Sequence, residues 1–302
     1  MVYSNVRKWS SMKKRKKKKS VQDIVLDICI YVILIAVLIV TFYPIWYVIV
    51  CAFSTSTDIV QHAGLYFWPD HFTWDAFIRV FKNELVLSGF KNTFIILGIS
   101  LPLNLILTLF CGYFMASTKM MWKKPIVFLM LFTMYFGGGM IPAYLNIRDL
   151  GLLDTVWAII LPSAVSIYNS IICKTAIEGI PESLSEAAYI DGANDIQIVS
   201  KVIVPLLKPT LAVLFLYYLV GHWNSWFAAS IYLKSDAKLP LQNILRYVLL
   251  ANSNVSLGNE FNEYAETIKY AIIVVSSLPI MCIYPFLQKY FTKGVMIGAV
   301  KG

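Results

Sequence analysis

Charge is what this sequence has least of. Asp, Glu, Lys and Arg together make up 14% of its 302 residues, where a soluble domain carries about 25%. Catalytic and cofactor signatures are missing as well. No G-x-x-x-x-G-K-[ST] phosphate loop occurs, so the chain has no such cradle for ATP. The three histidines, His62, His71 and His222, are scattered without a partnered nucleophile. That argues against hydrolytic chemistry and marks them as interfacial or packing residues. Cys29, Cys51, Cys111, Cys173 and Cys282 show neither metal-ligand nor disulfide spacing. All five fall in uncharged surroundings, where cysteine behaves as a small apolar residue.

What is present suits lipid. The chain is 58% hydrophobic with a mean hydropathy of +0.67. Six stretches lack any Asp, Glu, Lys or Arg: 28–57, 92–118, 125–147, 155–173, 209–233 and 270–288. The shortest has 19 residues, and a helix needs about 20 to cross a bilayer. Only helices and closed barrels satisfy their backbone groups in lipid. Barrel strands alternate polar and apolar residues over about ten positions, and ILGISLPLNLILTLF does not. The expectation is an all-α integral membrane protein of about six transmembrane helices, one domain over 23–302 behind a basic arm at 1–22. Without a carboxylate, Lys or Arg in any span, an intramembrane proton relay lacks its parts, which disfavours a secondary carrier.

Orientation follows from Lys and Arg. With the N-terminus inside, the segments 1–27, 119–124, 174–208 and 289–302 hold 18 of them, and the outer segments 58–91, 148–154 and 234–269 hold 8. The positive-inside rule then makes both termini and the 174–208 loop cytoplasmic. Nine of the 18 lie in the N-terminal arm, so the topology leans on it. Its KKRKKKK run at 13–19 reads as a topological anchor, with an anionic-lipid contact or nucleic-acid binding as the alternatives.

The loop 174–208 breaks the apolar pattern. Pro181 suits a helix start and Glu182 its positive end. Ser183 and Glu186 have capping-box spacing, as do Asn194 and Gln197, and Gly192 between them can take a positive φ. The reading is a helical elbow: a short helix, a turn at Asp191-Gly192, a second short helix, and termination by Pro205 and Pro209. Leu184, Ala187 and Ala188 share one face at i, i+3 and i+4, small enough to enter a partner's groove. Five acids and three lysines over this loop favour docking over lying on lipid headgroups.

Glu186-Ala187-Ala188, Gly192 four residues on, and Val202-Ile203-Val204-Pro205 resemble the EAA signature of ABC importer permeases, written EAA-x3-G-x9-I-x-L-P. Val202 and Val204 replace the usual Ile and Leu. FGGGMIPAYLNIRDLGLLDTVWAIILP, WNSWFAASIYL with PLQNILR, and KGVMIGAVKG are similar to the second permease of maltose-type carbohydrate importers. The resemblance implies a type I importer permease, nearest to those importing oligosaccharides from larger polysaccharides. It implies a homologous second permease, two ATP-binding cassette subunits that hold ATP and Mg, and an extracytoplasmic solute-binding protein, with no cofactor on this chain and no nucleic acid. The loop becomes a coupling helix, with Leu184, Glu186, Ala187, Ala188, Asp191, Gly192, Ala193 and Pro205 as its docking and shaping residues. A tail at 289–302 with Gly294, Gly298 and Gly302 reaches toward the ATPase or frays. The expected location is the plasma membrane of a bacterium.

Two places are candidates for the sugar's path. The fifth span offers Tyr217, Tyr218, His222, Trp223, Asn224 and Trp226, with Pro209 at its inner end and Asn224 past the midplane. Trp223 and Trp226 are read as sharing a face, in the pathway or in an aromatic belt. In the third span, Gly137, Gly138 and Gly139 before Pro142 mark either a broken helix lining a cavity or a simple helix stop. Importers of other solutes of the same architecture remain alternatives.

Overall fold

The computed structural model describes residues 20–62, 64–117, 120–250 and 265–299. The basic run at 13–19, part of the outer segment 234–269 and Gly302 lie outside the described residues. Every regular element among those described is helical.

The first helix, α1 (Val21–Ala52), has no glycine and carries only Asp23 and Asp27 as charges. The Ser20 N–H donates to Asp23 Oδ2 at 3.0 Å, closing its start. Most of its apolar side chains are exposed, as suits a helix solvated by lipid. Two short helices follow, α2 (Ser56–Gln61) and α3 (Asp75–Lys82). The long α4 (Glu84–Ala116) is capped by Asn83, whose side chain accepts the Val86 N–H.

The middle of the chain is broken rather than straight. α5 (Lys123–Tyr135) and α6 (Met140–Asp149) meet at 115°, because the glycines between them leave the helix and Gly139 takes φ +89°. The expected fourth span is not one helix either. α7 (Trp157–Ile160) gives way to turns at Pro162, and α8 (Ile167–Glu178) restarts under a cap from Ser166 Oγ. Then come α9 (Glu182–Ile190), α10 (Asp195–Leu206) and α11 (Lys208–Trp223), the last two bent by 86°. α12 (Phe227–Tyr232), α13 (Leu241–Leu250) and α14 (Ala265–Ala299) complete the chain. The backbone of the tail at 289–299 continues α14 as helix.

By length and composition, three described helices can cross a membrane, or five if each bent pair is one span. Six uncharged stretches therefore outnumber the continuous helices. Absence of charge shows where lipid is tolerated, but backbone continuity is set locally by glycine and proline.

Two apolar cores hold the bundle. The larger joins α3, α4, α11, α13 and α14 through residues such as Val80, Ile96, Trp223, Ile244 and Ile272. The smaller sits under the 174–208 elbow and unites Cys173, Ile177, Ile198, Ile203, Leu207 and Leu214. α4 and α8 approach so closely that a Cβ on Gly112 would lie 2.8 Å from both Cβ and Sγ of Cys173.

Candidate functional site

The elbow is specified residue by residue. α9 ends in a Schellman closure: the Ala193 N–H reaches the Ala188 carbonyl at 2.9 Å and the Gly192 N–H reaches that of Tyr189 at 3.0 Å. That closure needs a left-handed residue, and Gly192 supplies φ +83°. The next residue but one, Asn194, caps the start of α10. Asn194 and Gln197 exchange side chain-to-backbone hydrogen bonds of 2.9 and 3.0 Å, a complete capping box. The second box expected, at Ser183 and Glu186, is not formed. α9 begins at Glu182 behind Pro181, which places both residues inside the helix. Pro205 does not end α10 as expected. It follows a π-helical stretch, Val199–Ile203, in which the Val204 N–H bonds Val199 O. The chain turns after Leu206, and Pro209 lies in the first turn of α11.

The elbow's faces divide unevenly. Leu184, Glu186, Ala187, Asp191 and Gly192 are exposed, whereas Ala188 and Ala193 pack against the smaller core. The face at 184, 187 and 188 is thus split: Ala188 holds the elbow to its own bundle, and Leu184 and Ala187 remain on the outside. Ile190 is 87% exposed and Ile196 68%, so the tip presents largely exposed apolar side chains. The elbow is also tied to α4. The hydroxyls of Tyr113 and Tyr189 both donate to Asp195 Oδ1, the former at 3.1 Å. The hydrogen bond to this carboxylate holds the Tyr189 phenol above its ordinary pKa.

A cavity of about 430 Å³ opens between α11 and the break separating α7 from α8. Its polar lining includes Ser163, Ser166, Asn169, Tyr217, Tyr218, His222 and Ser225, and among the described residues no Asp, Glu, Lys or Arg lines it. Behind the wall runs a buried polar seam. Asn104 Nδ2 donates to the carbonyls of Ser163 and Ala164, and Asn104 Oδ1 faces His222 Nε2 at 2.9 Å. Thr108 Oγ1 lies 2.6 Å from the Tyr218 hydroxyl, which also accepts the Ser166 N–H. The seam satisfies backbone groups that the broken helix frees, the condition for irregular backbone at membrane depth. Such a wall can hydrogen-bond an uncharged polyol but holds no fixed charge. Among the described residues no group of three His, Cys, Asp or Glu side chains is placed to hold a metal.

Residues 76–297 match the family described as binding-protein-dependent transport system inner membrane component. The chain belongs to this family. It is 35% identical over 281 residues to the polygalacturonan/rhamnogalacturonan transport system permease protein YtcP of Bacillus subtilis (strain 168), covering 91% of this chain and 98% of that protein. It is 37% identical over 282 residues to Protein LplC of the same strain, covering 92% and 95%. Its fold matches a chain in the crystal structure of a bacterial ABC transporter involved in the import of the acidic polysaccharide alginate. That match has a TM-score of 0.85 at 33% identity, over 91% of this chain and 99% of the other. The molecule is an all-helical, multi-pass permease.

Within this permease the expected pathway residues separate. Tyr217 lines the cavity. Trp223 does not: it is 2% exposed, packs against Phe90 and Phe94, and donates from Nε1 to the Ser276 carbonyl. Trp226 shares no helix face with it, because α11 ends between them. The Arg246 guanidinium lies 3.8 Å above the Trp226 ring centroid. Asn224 caps α11 at its C-terminus and is exposed, and Gly138 lies exposed in the link between α5 and α6. Neither is on the cavity wall. His62 and His71 pair with Asp70 and Asp58 at 3.3 and 3.0 Å. The sequence reading passed over Asn104, Thr108, Ser163, Ser166 and Asn169. The first two were detectable as polar residues at i, i+4 spacing in an otherwise apolar span.

Proposed function

We propose that this permease is one of two homologous membrane subunits of an ATP-driven importer for oligosaccharides, working by alternating access. Two ATP-binding cassette subunits hold ATP and Mg, and their closure moves the elbow formed by α9 and α10. An extracytoplasmic solute-binding protein delivers the sugar. The protein resides in a bacterial plasma membrane with both termini cytoplasmic, transmits force and lines half the path, and makes or breaks no bond. The observation that carries this reading is the elbow itself, capped at both sides of Gly192 and presenting Leu184, Ala187, Ile190 and Ile196 outward. The uncharged, hydroxyl-bearing cavity supports a sugar as cargo, as do the names of the relatives.

Replacement of Gly192 by proline tests the reading. Proline fixes φ near −65° where the elbow needs +83°, and it removes the N–H that bonds Tyr189 O. In vesicles holding the whole transporter, Gly192→Pro abolishes sugar uptake while the permease still inserts and assembles. Uptake at the normal rate and normal yield per ATP would refute it.

A further inference from the structure

Asn104 is fully buried, and its neighbours decide which way its carboxamide points. Nδ2 lies 2.7 Å from the Ser163 carbonyl oxygen and 2.9 Å from that of Ala164. Carbonyl oxygens only accept, so the amide nitrogen must occupy that end, with both hydrogens engaged. The amide oxygen is then fixed toward His222 Nε2, 2.9 Å away. An amide oxygen also only accepts, so Nε2 must carry a hydrogen. A neutral imidazole protonated on Nε2 has a lone pair on Nδ1. The chain of reasoning runs from a break in one helix, through a buried amide on a second, to the tautomer of a ring on a third.

His222 lines the cavity, and several of its polar neighbours there have part of their hydrogen-bonding capacity engaged by the protein. Ser163 Oγ donates to the Ile159 and Ile160 carbonyls, Ser166 Oγ accepts the Asn169 N–H, and the Tyr218 hydroxyl is shared with Thr108 and the Ser166 N–H. We propose that His222 Nδ1 is a fixed hydrogen-bond acceptor for a sugar hydroxyl in the transport path, with Asn104 as the positioning residue that holds its tautomer. The inference rests on the oligosaccharide reading above. It makes this wall a reader of hydroxyl groups, whatever carboxylates the sugar carries elsewhere.

The test uses the complete transporter in lipid bilayers, with the permease ¹⁵N-labelled at histidine. The permease has three histidines, and the His222→Gln variant assigns the third signal. The expected spectrum at neutral pH has His222 protonated on Nε2 and bare on Nδ1. Its Nδ1 signal shifts when a partial digest of polygalacturonan and rhamnogalacturonan is added under turnover. Glutamine keeps a donor for Asn104 but removes the acceptor at the Nδ1 position. His222→Gln therefore assembles normally and raises the KM for the digest roughly fivefold, the worth of one neutral hydrogen bond. A proton on Nδ1 overturns the proposal. So does a silent Nδ1 signal, or an unchanged KM in the glutamine variant, while the digest is imported; either leaves the oligosaccharide reading standing. If the wild-type transporter imports no component of the digest, that reading fails and the proposal falls with it.

Discussion

Asp154 shows how much one side chain can hold together. It sits at φ +57°, a conformation that aspartate tolerates better than most residues. Its carboxylate accepts the Lys234 and Ser235 N–H groups and the Ser235 hydroxyl, and pairs with Lys238 at 2.7 Å. The Lys238 ammonium, then these backbone and hydroxyl donors, hold its carboxyl far below the usual carboxylate range. A depressed native pKa means that the contribution to stability is present above the unfolded pKa of about 3.9 and is lost as pH falls toward the native one. Hydrogen exchange at Lys234 and Ser235 is therefore expected to stay slow from neutral pH to about pH 4, after correction for intrinsic rates, and to accelerate below it. In Asp154→Asn it should be faster throughout. Protection unaltered by the substitution would contradict this role. None of these ties was legible in the sequence, because Asp154 and its partners are 80 or more residues apart. Asn104 was easier: a polar residue amid ISLPLNLILTLF needs a buried partner, and only the identity of that partner awaited the fold.

Elements were legible where their signals are local. The turn at Asp191-Gly192 and the box at Asn194 and Gln197 are encoded within seven residues, and both form as expected. The box at Ser183 failed because Pro181 and Glu182 start α9 earlier. Pro205 misled for a different reason. The π-helical stretch before it alters the hydrogen-bond register, so a residue without an N–H is accommodated in the helix. Composition could not reveal that 155–173 is two helices, since its break is stabilised by Asn104 from α4. The packing of α4 on α8 gives a prediction of its own. Gly112→Val forces side-chain atoms against Cys173 and a backbone nitrogen that already lies 3.1 Å from the Cβ position. Overpacking of this kind costs about 1–3 kcal/mol. The variant should lower the melting temperature of the purified permease, and Gly112→Ala should do so less. A valine variant melting with the wild type would show that α4 and α8 separate freely.

For the whole molecule, the proposed division of labour leaves ATP to partner subunits and the coupling to this chain. The chain has no phosphate loop, no charged side chain on the cavity wall among the described residues, and a helical elbow fastened to α4 through Tyr113 and Asp195. If, as proposed, force enters at the elbow, its route to the cavity runs through α4 and α11, which meet at Thr108 and Tyr218. The membrane class and the elbow could be read from composition and spacing. The cavity could not, because its wall combines the α7–α8 break with the far end of α11. The most direct measurement of the central claim is a photo-cross-linker placed at exposed Ala187 in cells actively taking up the sugar. The account predicts capture of an ATP-binding subunit, with a yield that changes when ATP hydrolysis is blocked by vanadate. Capture of no nucleotide-binding protein at Ala187, in cells whose uptake is intact, would contradict it.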